Sequence, residues 1–178
     1  VTVTNAIAIS GTQAEVTAAL VTTDTLVVAG SATVTISDAV TIAQLTAIDA
    51  KTSGTITYTS ISDTASNLAA NTGSYVTGAV DVTITDGITA AQLVTINALT
   101  SGEITLNDTN DTLTDSTADL VAAFTGTVTA YTGAITINDA NTTAITAANL
   151  STIGGETSGV VTVTNAIAIS GTQAEVTA

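Results

Sequence analysis

The sequence predicts a solenoid, either a β-solenoid or an α/β solenoid, with parallel strands stacked rung on rung and short helices between them. Three observations predict this fold. Residues 161–178 repeat residues 1–18 letter for letter, at an offset of 160 residues. A looser repeat of about fifty residues recurs within those 160, and apolar and hydroxyl side chains alternate in short runs. Repeats that bury their apolar faces only against their neighbours are typical of solenoids.

The repeats define the expected domain organisation. Residues 1–160 form one full tandem repeat, with superrepeats at about 1–54, 55–102 and 103–159. Residues 161–178 begin the next identical repeat, so we expect the chain to be a window of a much longer array. Function should then be sought in the array.

Six strands with alternating apolar and hydroxyl residues predict about six rungs per 160-residue repeat. They are expected at residues 1–5, 33–37, 55–59, 81–85, 103–107 and 134–138. The apolar residues would face inward. The outward column would be Thr2, Thr35, Thr57, Thr83, Thr105 and Thr136.

Three aligned segments, at 41–54, 89–102 and 146–159, predict one family of short helices. Their expected N-caps are Thr41, Thr89 and Thr146, and Gly54, Gly102 and Gly159 are expected to end them. A second family is expected to start at Gly11, Asp63 and Asp115. Because parallel strands stack about 4.8 Å apart and packed helices need roughly 8–10 Å, we expect the two families to be staggered or placed on two faces.

The composition excludes several classes of function. The chain has a formal net charge of −14 and contains no His, Cys, Met, Trp or Pro. Its only cationic side chain is Lys51, so binding to nucleic acid or to an anionic membrane surface is not expected. The apolar residues are scattered between threonines, and no apolar run is long enough to insert into a membrane.

The same composition argues against an enzyme. Without His, Cys or Arg, the usual nucleophile pairs and oxyanion clamps are unavailable, and we predict no catalytic or cofactor-binding residues. Lys51 is interpreted as a helix-terminal lysine near the negative end of the helix dipole. Asp38, Asp86 and Asp139 each follow a predicted strand and could form a column of carboxylates, which leaves a carboxylate-pair glycosidase as the open alternative. The favoured interpretation is that they cap turns or helices.

The strongest metal candidate is the segment NDTNDTLTD at residues 107–115. Asp108, Asp111 and Asp115, with two asparagines, could supply oxygen ligands for Ca²⁺. The segment lacks the spacing and the glycine of an EF-hand loop, and the favoured interpretation is a solvated acidic turn before a helix capped by Asp115. We therefore predict no metal site and no cofactor, with Ca²⁺ as the open alternative.

Ice binding is a lesser alternative. Pairs such as Thr57 with Thr59 and Thr83 with Thr85 fit two ranks of Thr-x-Thr, but Thr105 pairs with Asn107, so the second rank is broken. The preference of threonine for β-strands is enough to explain the column of threonines, so ice binding is not needed to account for it. The aromatic residues are too dispersed for a carbohydrate platform and are interpreted as core fillers or loop anchors: Tyr58, Tyr75, Phe124 and Tyr131.

The segments ISDTASNLAAN at 61–71 and VTITDGITAAQLVTINALTSG at 82–102 carry a resemblance that extends over essentially the whole chain. They resemble the beta-strand repeats of giant secreted bacterial surface proteins, which are common in cyanobacteria and often accompany hemolysin-type, type I-secreted regions. The resemblance implies an extracellular or cell-surface protein. The chain departs from the hemolysin-type pattern because it has no GGxGxDxUx nonapeptide.

These observations predict a structural protein, the repeat unit of an extracellular filament, sheath or surface layer, or a component of a biofilm matrix. The alternative is the stalk of a giant cell-surface adhesin. The expected partner is the protein itself, through end-to-end stacking of repeats and lateral association with identical chains.

Overall fold

The structure is a computed structural model that describes residues 1–23, 27–106, 112–129 and 131–177. Throughout these described residues, short strands lead into short helices. The described residues contain eleven strands and seven helices. The strands are β1 Ala8–Gly11, β2 Thr33–Ile36, β3 Ile56–Thr57, β4 Ser60–Asp63, β5 Asp81–Ile84, β6 Ile104–Leu106, β7 Leu113–Asp115, β8 Ile135–Ile137, β9 Ala144–Thr146, β10 Val161–Val163 and β11 Ala168–Ser170. The helices are α1 Gln13–Leu20, α2 Ile42–Asp49, α3 Ala65–Ala70, α4 Ala90–Asn97, α5 Thr117–Ala123, α6 Ala147–Gly155 and α7 Gln173–Thr177.

The strands form four separate parallel sheets, so the predicted solenoid with one stack of rungs is wrong. Their orders are β1-β2-β3, β4-β5-β6, β7-β8-β10 and β9-β11. Paired residues lie 21 to 26 positions apart in sequence, from Ser60 with Asp81 to Ile135 with Val161. The chain is therefore an α/β fold of small parallel sheets covered by helices.

Interrupted strands explain why the sheets stay small. β3 pairs with β2, which precedes it in sequence. β4 begins three residues after the end of β3 and pairs instead with β5, which follows it. The same change of partner separates β6 from β7, because β6 pairs with β5 and β7 pairs with β8. Because the connections between partners differ in length, a stretch cannot keep one register over its whole length. Between the sheets the regular ladder is therefore reduced to isolated bridges, such as Val40 with Ile61 and Ile104 with Val128.

Five pairs of helices that follow one another in sequence touch each other. Contacts join α1 with α2, α3 with α4, α4 with α5, α5 with α6, and α6 with α7. Members of the two predicted helix families therefore contact each other directly, so the alternative in which the families lie on two faces is wrong, and the staggered arrangement stays a prediction. Because helices need roughly twice the spacing of paired strands, this arrangement also opposes a continuous stack of strands.

The predicted helix starts are confirmed for the first family. Thr41, Thr89 and Thr146 are the N-caps of α2, α4 and α6, and each hydroxyl accepts a hydrogen bond from the third residue of its helix. In the second family the caps of α1, α3 and α5 are Thr12, Thr64 and Ser116. The prediction that Asp115 caps a helix is therefore wrong by one residue.

The glycine stop predicted for the first family is wrong. Helices α2, α4 and α6 end at C-caps Ala50, Ala98 and Glu156, several residues before the glycines. Among the described glycines only Gly73 and Gly78 have positive φ. Gly54, Gly102 and Gly159 serve a different purpose, described below.

Five of the six predicted strands contain a strand in the structure; the exception is residues 1–5, where Thr2 forms only an isolated bridge with Val28. Sequence reasoning missed the short strands that end within three residues of the start of a helix, namely β1, β4, β7, β9 and β11. Their short apolar and hydroxyl alternation before a capping Thr or Ser was the available signal.

One hydrophobic core runs beneath the helices. Leu45, Ile48, Leu93 and Ile96 are fully buried on the predicted helix faces. The strands contribute their alternate residues to the same cluster: Val34, Ile36, Val82, Ile84, Ile104, Leu106, Ile135 and Ile137. Each unit, which we define as a helix together with all of the chain between it and the preceding helix, thus buries its apolar side chains together with those of its neighbours.

Candidate assembly interface

A carboxylate of one unit binds the start of the helix in the preceding unit, at four places in the described part of the chain. In each pair an aspartate oxygen accepts a hydrogen bond from the first backbone N–H of the helix. The pairs are Asp38 with Gln13 N (2.5 Å), Asp63 with Ile42 N (2.9 Å), Asp86 with Ala65 N (2.7 Å) and Asp139 with Thr117 N (2.8 Å). These N–H groups have no partner within their own helix. A negative charge there also interacts favourably with the helix dipole.

The interpretation of Asp38, Asp86 and Asp139 as helix-capping groups is thus confirmed, with one change. Each carboxylate binds the helix of the neighbouring unit, which only the tertiary structure places beside it. The three carboxylates therefore form contacts between units. Asp115 instead accepts from the adjacent Ser116 N at 2.8 Å.

Asp63 is the most enclosed of these carboxylates, at 7% exposure. Besides Ile42 N, it accepts from Thr64 N and from the side-chain amide of Asn67, both at 2.8 Å. Three donors compensate the cost of burying the charge. Asp63 therefore holds together the N-termini of α2 and α3.

A Thr-Ser-Gly motif after α2, α4 and α6 forms a second contact between units. The hydroxyls of Thr52, Thr100 and Thr157 donate to carbonyl oxygens of the preceding unit: Ala32 O (2.5 Å), Val80 O (2.6 Å) and Gly133 O (2.6 Å). Each hydroxyl also accepts from the N–H of the motif's own glycine, at 2.9 to 3.0 Å. One hydroxyl thus satisfies two backbone groups and fixes the distance between two units.

Close backbone approach explains the glycine of this motif. A Cβ on Gly54, Gly102 or Gly159 would lie 2.0 to 2.3 Å from a carbonyl oxygen of the preceding unit. Such a separation is far below van der Waals contact, so only glycine fits. The motif TSG is therefore a packing requirement between units.

The aromatic residues lie in the core and its loops, as predicted. Phe124 and Tyr131 are buried with ring centroids 6.4 Å apart. The Tyr58 hydroxyl donates to Tyr75 O at 2.8 Å, and burial raises the pKa of Tyr58. Tyr58 anchors the 71–78 loop.

The threonine column is divided in the structure. The aligned hydroxyl residues form three short ladders, which are Ser10-Thr35-Thr57, Ser62-Thr83-Thr105 and Thr114-Thr136-Thr162. Each ladder belongs to a different sheet. A continuous flat array of the kind that ice binding requires is therefore not present in these sheets.

Lys51 lies where the sequence placed it, one residue beyond the C-cap of α2. The Lys51 side chain is exposed, and the backbone N–H of Lys51 donates a hydrogen bond to Ile48 O at 2.8 Å.

Within the calcium candidate, Asp108 and Asp111 lie outside the described residues. Among the residues that are described, no group of three or more His, Cys, Asp or Glu side chains is placed to hold a metal ion. No described helix is both long enough and apolar enough to cross a membrane.

The segment that occurs twice has different surroundings in its two copies. In the first copy, α1 packs against α2, and Val16 is 1% exposed. In the second copy, α7 packs against α6, and the equivalent Val176 is 57% exposed. An open groove of about 540 Å³ next to Val176 is bordered by Leu150 and Ile169. The same side chain is thus a core residue at one end and a surface residue at the other.

Comparison with protein-family models, with curated protein sequences and with solved structures found no match.

Proposed function

We propose that this chain is a structural protein, the repeat unit of an extracellular filament, sheath or surface layer, whose partner is the protein itself. The observation that carries the proposal is the identity of residues 1–18 and 161–178 at an offset of 160 residues. A chain that repeats a unit of this size without change can extend by adding the same contacts again.

The contacts between units suit a mechanical role. Aspartate to helix N-terminus, Thr-Ser-Gly to carbonyl and strand to strand are all hydrogen bonds in which at least one partner is a backbone group. Bonds of this kind need only the right geometry, so they are reproduced wherever the repeat is reproduced. Their strength does not depend on pairing opposite charges, which this acidic chain with one lysine could not supply.

The composition supports a location outside the cell. A chain without cysteine or methionine offers no thiol or thioether to oxidants. The formal charge of −14 keeps such a protein soluble and repels anionic surfaces. We propose no catalytic role, because the four aspartates of the contacts above serve to bind helix N-termini.

Immunogold electron microscopy of intact cells of the source organism tests the proposal. An antibody raised against the 178-residue chain should label surface filaments or a surface layer at regular intervals. Filaments sheared from the cells should contain the chain as a major component by mass spectrometry. Labelling confined to the cell interior would contradict the proposal.

The number of chains in a filament cross-section separates the two structural roles. Several chains, seen by cryo-electron microscopy of the sheared material, would support a filament or lattice. A single chain ending in a different domain would support the adhesin stalk.

A further inference from the structure

Four sequences of the form Asn-x-Thr or Asn-x-Ser lie in the chain, at residues 107–109, 110–112, 141–143 and 149–151. An asparagine in this pattern is the acceptor of N-linked glycans in secreted proteins, where it lies in a surface segment. Asn107 and Asn110 lie outside the described residues. The structure can therefore distinguish between the other two asparagines, Asn141 and Asn149.

Asn141 lies at the tip of an exposed turn between β8 and β9. The backbone N–H of Thr143 donates to Ala140 O at 3.1 Å and closes the turn, and both Asn141 and Thr142 at its tip are exposed. The turn has a described neighbour on each side, because α5 precedes it and residues 164–166 follow it. Its exposure is therefore a property of the fold within the described part of the chain.

The side-chain oxygen of Asn141 is fixed by the following unit, whereas the side-chain nitrogen is available. Asn141 Oδ1 accepts a hydrogen bond from the backbone N–H of Ala166 at 3.2 Å. Among the described residues, none accepts a hydrogen bond from Asn141 Nδ2. N-linked glycans are attached to this nitrogen, and the amide oxygen remains an acceptor afterwards. The contact with Ala166 is therefore compatible with a glycan on Asn141.

The backbone at the tip of this turn is strained. Thr142 has a φ of 66°, a left-handed conformation that β-branched residues rarely adopt. Strain of this kind persists only where surrounding contacts hold it, and it is concentrated at functional positions. Here the N–H of Thr142 donates to Ala166 O at 2.7 Å and holds the turn in place. The turn thus presents Asn141 to solvent despite an unfavourable residue beside it.

Asn149 has the same sequence pattern in an unsuitable conformation. It is the third residue of α6, and its N–H donates to the hydroxyl of the N-cap Thr146 at 3.2 Å. Side chains two residues apart on a helix do not face each other. An enzyme that binds the asparagine and the hydroxyl of Ser151 together would have to unwind the first turns of α6.

We propose that Asn141 is the acceptor of an N-linked glycan and that Asn149 is not. This inference rests on the proposed extracellular function, because such glycans are attached to secreted proteins. In the reaction, Nδ2 of Asn141 attacks C1 of a lipid-linked glycosyl diphosphate. A C1–N bond forms, the C1–O bond to the lipid diphosphate breaks, and the leaving diphosphate takes up the amide proton. In an array of identical repeats, the glycan would recur once every 160 residues.

Mass spectrometry of the chain isolated from the source organism tests the proposal. Enzymatic release of N-linked glycans in heavy-oxygen water converts each glycosylated asparagine to a mass-labelled aspartate, which locates the acceptor. We expect the label at Asn141 and not at Asn149. Surface material without a label at Asn141 would overturn the acceptor site and leave the structural function standing. Equal labelling of both asparagines would also overturn the proposal, because the fold would then not select between them.

A reaction with the purified, folded chain is independent of the cellular localisation. The unmodified chain is incubated with an oligosaccharyltransferase and a lipid-linked glycosyl donor, and glycan attachment is detected as a shift on a gel. All variants carry N107Q and N110Q, so that only the described sites are compared. T143A should abolish the shift, and T143S should retain it because serine keeps the hydroxyl. N149Q is the matched control and should react like the parent chain.

The two variants at residue 143 separate recognition from folding. Circular dichroism should show that T143A and T143S fold like the parent chain, so that only the hydroxyl distinguishes them. A shift that persists in T143A, or one that disappears in N149Q, would overturn the proposal.

Failure of the structural function can be distinguished from failure of the acceptor site. A chain found only inside the cells would refute the structural function. The reaction with the folded chain then decides the acceptor site, because modification at Asn141 would support it and absence of modification would overturn it.

Discussion

Gly102 and Gly154 show how the same residue type has opposite consequences in two places. A Cβ on Gly102 would lie 2.3 Å from Val80 O, whereas a Cβ on Gly154 in α6 would have no atom within 4 Å. The first glycine is needed for packing between units. The second glycine, Gly154, only lowers the helix propensity of α6.

Alanine substitutions should therefore change stability in opposite directions. We expect G102A to lower the free energy of unfolding by about 1 to 3 kcal/mol through steric strain. We expect G154A to raise it by up to about 1 kcal/mol through helix propensity. Urea unfolding followed by circular dichroism measures both, and a stabilised G102A would refute the close approach.

The hydroxyl of Thr100 is the second test at this scale. T100V removes the donor to Val80 O and the acceptor for Gly102 N, and leaves buried backbone groups unsatisfied. We expect a loss of about 1 to 3 kcal/mol in urea unfolding. The matched control is T95V, because the exposed Thr95 hydroxyl only bonds back to Ala91 O within α4. Equal effects of the two substitutions would mean that the contact between units contributes nothing.

At the scale of the element, four of the described helices bind a carboxylate that the following unit supplies. D63A would leave three donors without their acceptor, at the starts of α2 and α3. We expect the free energy of unfolding to fall by about 2 to 4 kcal/mol. D49A, at the exposed end of α2, should change it by less than about 0.5 kcal/mol. Amide hydrogen exchange should locate the D63A effect in the first turns of α2 and α3, and an unchanged exchange pattern there would contradict the proposed contact.

The capping box of α1 provides a pH-dependent test. Hydrogen bonds from the Thr12 N–H and hydroxyl stabilise the carboxylate and hold the pKa of Glu15 below its usual value of 4.5. A carboxyl group whose pKa is lowered by folding stabilises the protein above its unfolded pKa, and this contribution is lost as the pH falls through the lower, folded pKa. Thr172 lowers the pKa of Glu175 in the same way.

E15Q isolates this contribution, because glutamine occupies the same capping position in α2 and α4 and does not titrate. The difference in unfolding free energy between wild type and E15Q should be constant above about pH 5 and change as the pH falls through the range in which Glu15 titrates. Urea unfolding at several pH values measures it. A difference that stays constant down to pH 2 would exclude the effect.

At the scale of the whole molecule, the hydrogen bonds between units should hold the chain together after it is cut. Trypsin can cleave only after Lys51, which is exposed. On either side of this bond, β2 pairs with β3 and the Thr52 hydroxyl donates to Ala32 O. We expect residues 1–51 and 52–178 to coelute on size exclusion in buffer and to separate in urea. K51Q should remain intact, and separation of the fragments without urea would show that the contacts across the cut are weak.

Several features of this protein were determined by the sequence alone, because they depend on local chemistry. The N-caps Thr41, Thr89 and Thr146 satisfy N–H groups three residues away, so spacing was enough to identify them. Alternation of apolar and hydroxyl residues likewise located five of the six predicted strands, since the pleat alternates side chains between two faces. The repeat of residues 1–18 needed no structure at all.

Only the tertiary structure decided which unit each group serves. Asp38, Asp63, Asp86 and Asp139 cap helices more than twenty residues away, and the glycines of the Thr-Ser-Gly motifs fit against carbonyls at a similar distance. The division into four sheets also depends on how connections of unequal length bring strands into register. Such contacts between distant residues follow from packing, which the periodicity of a single strand or helix does not contain.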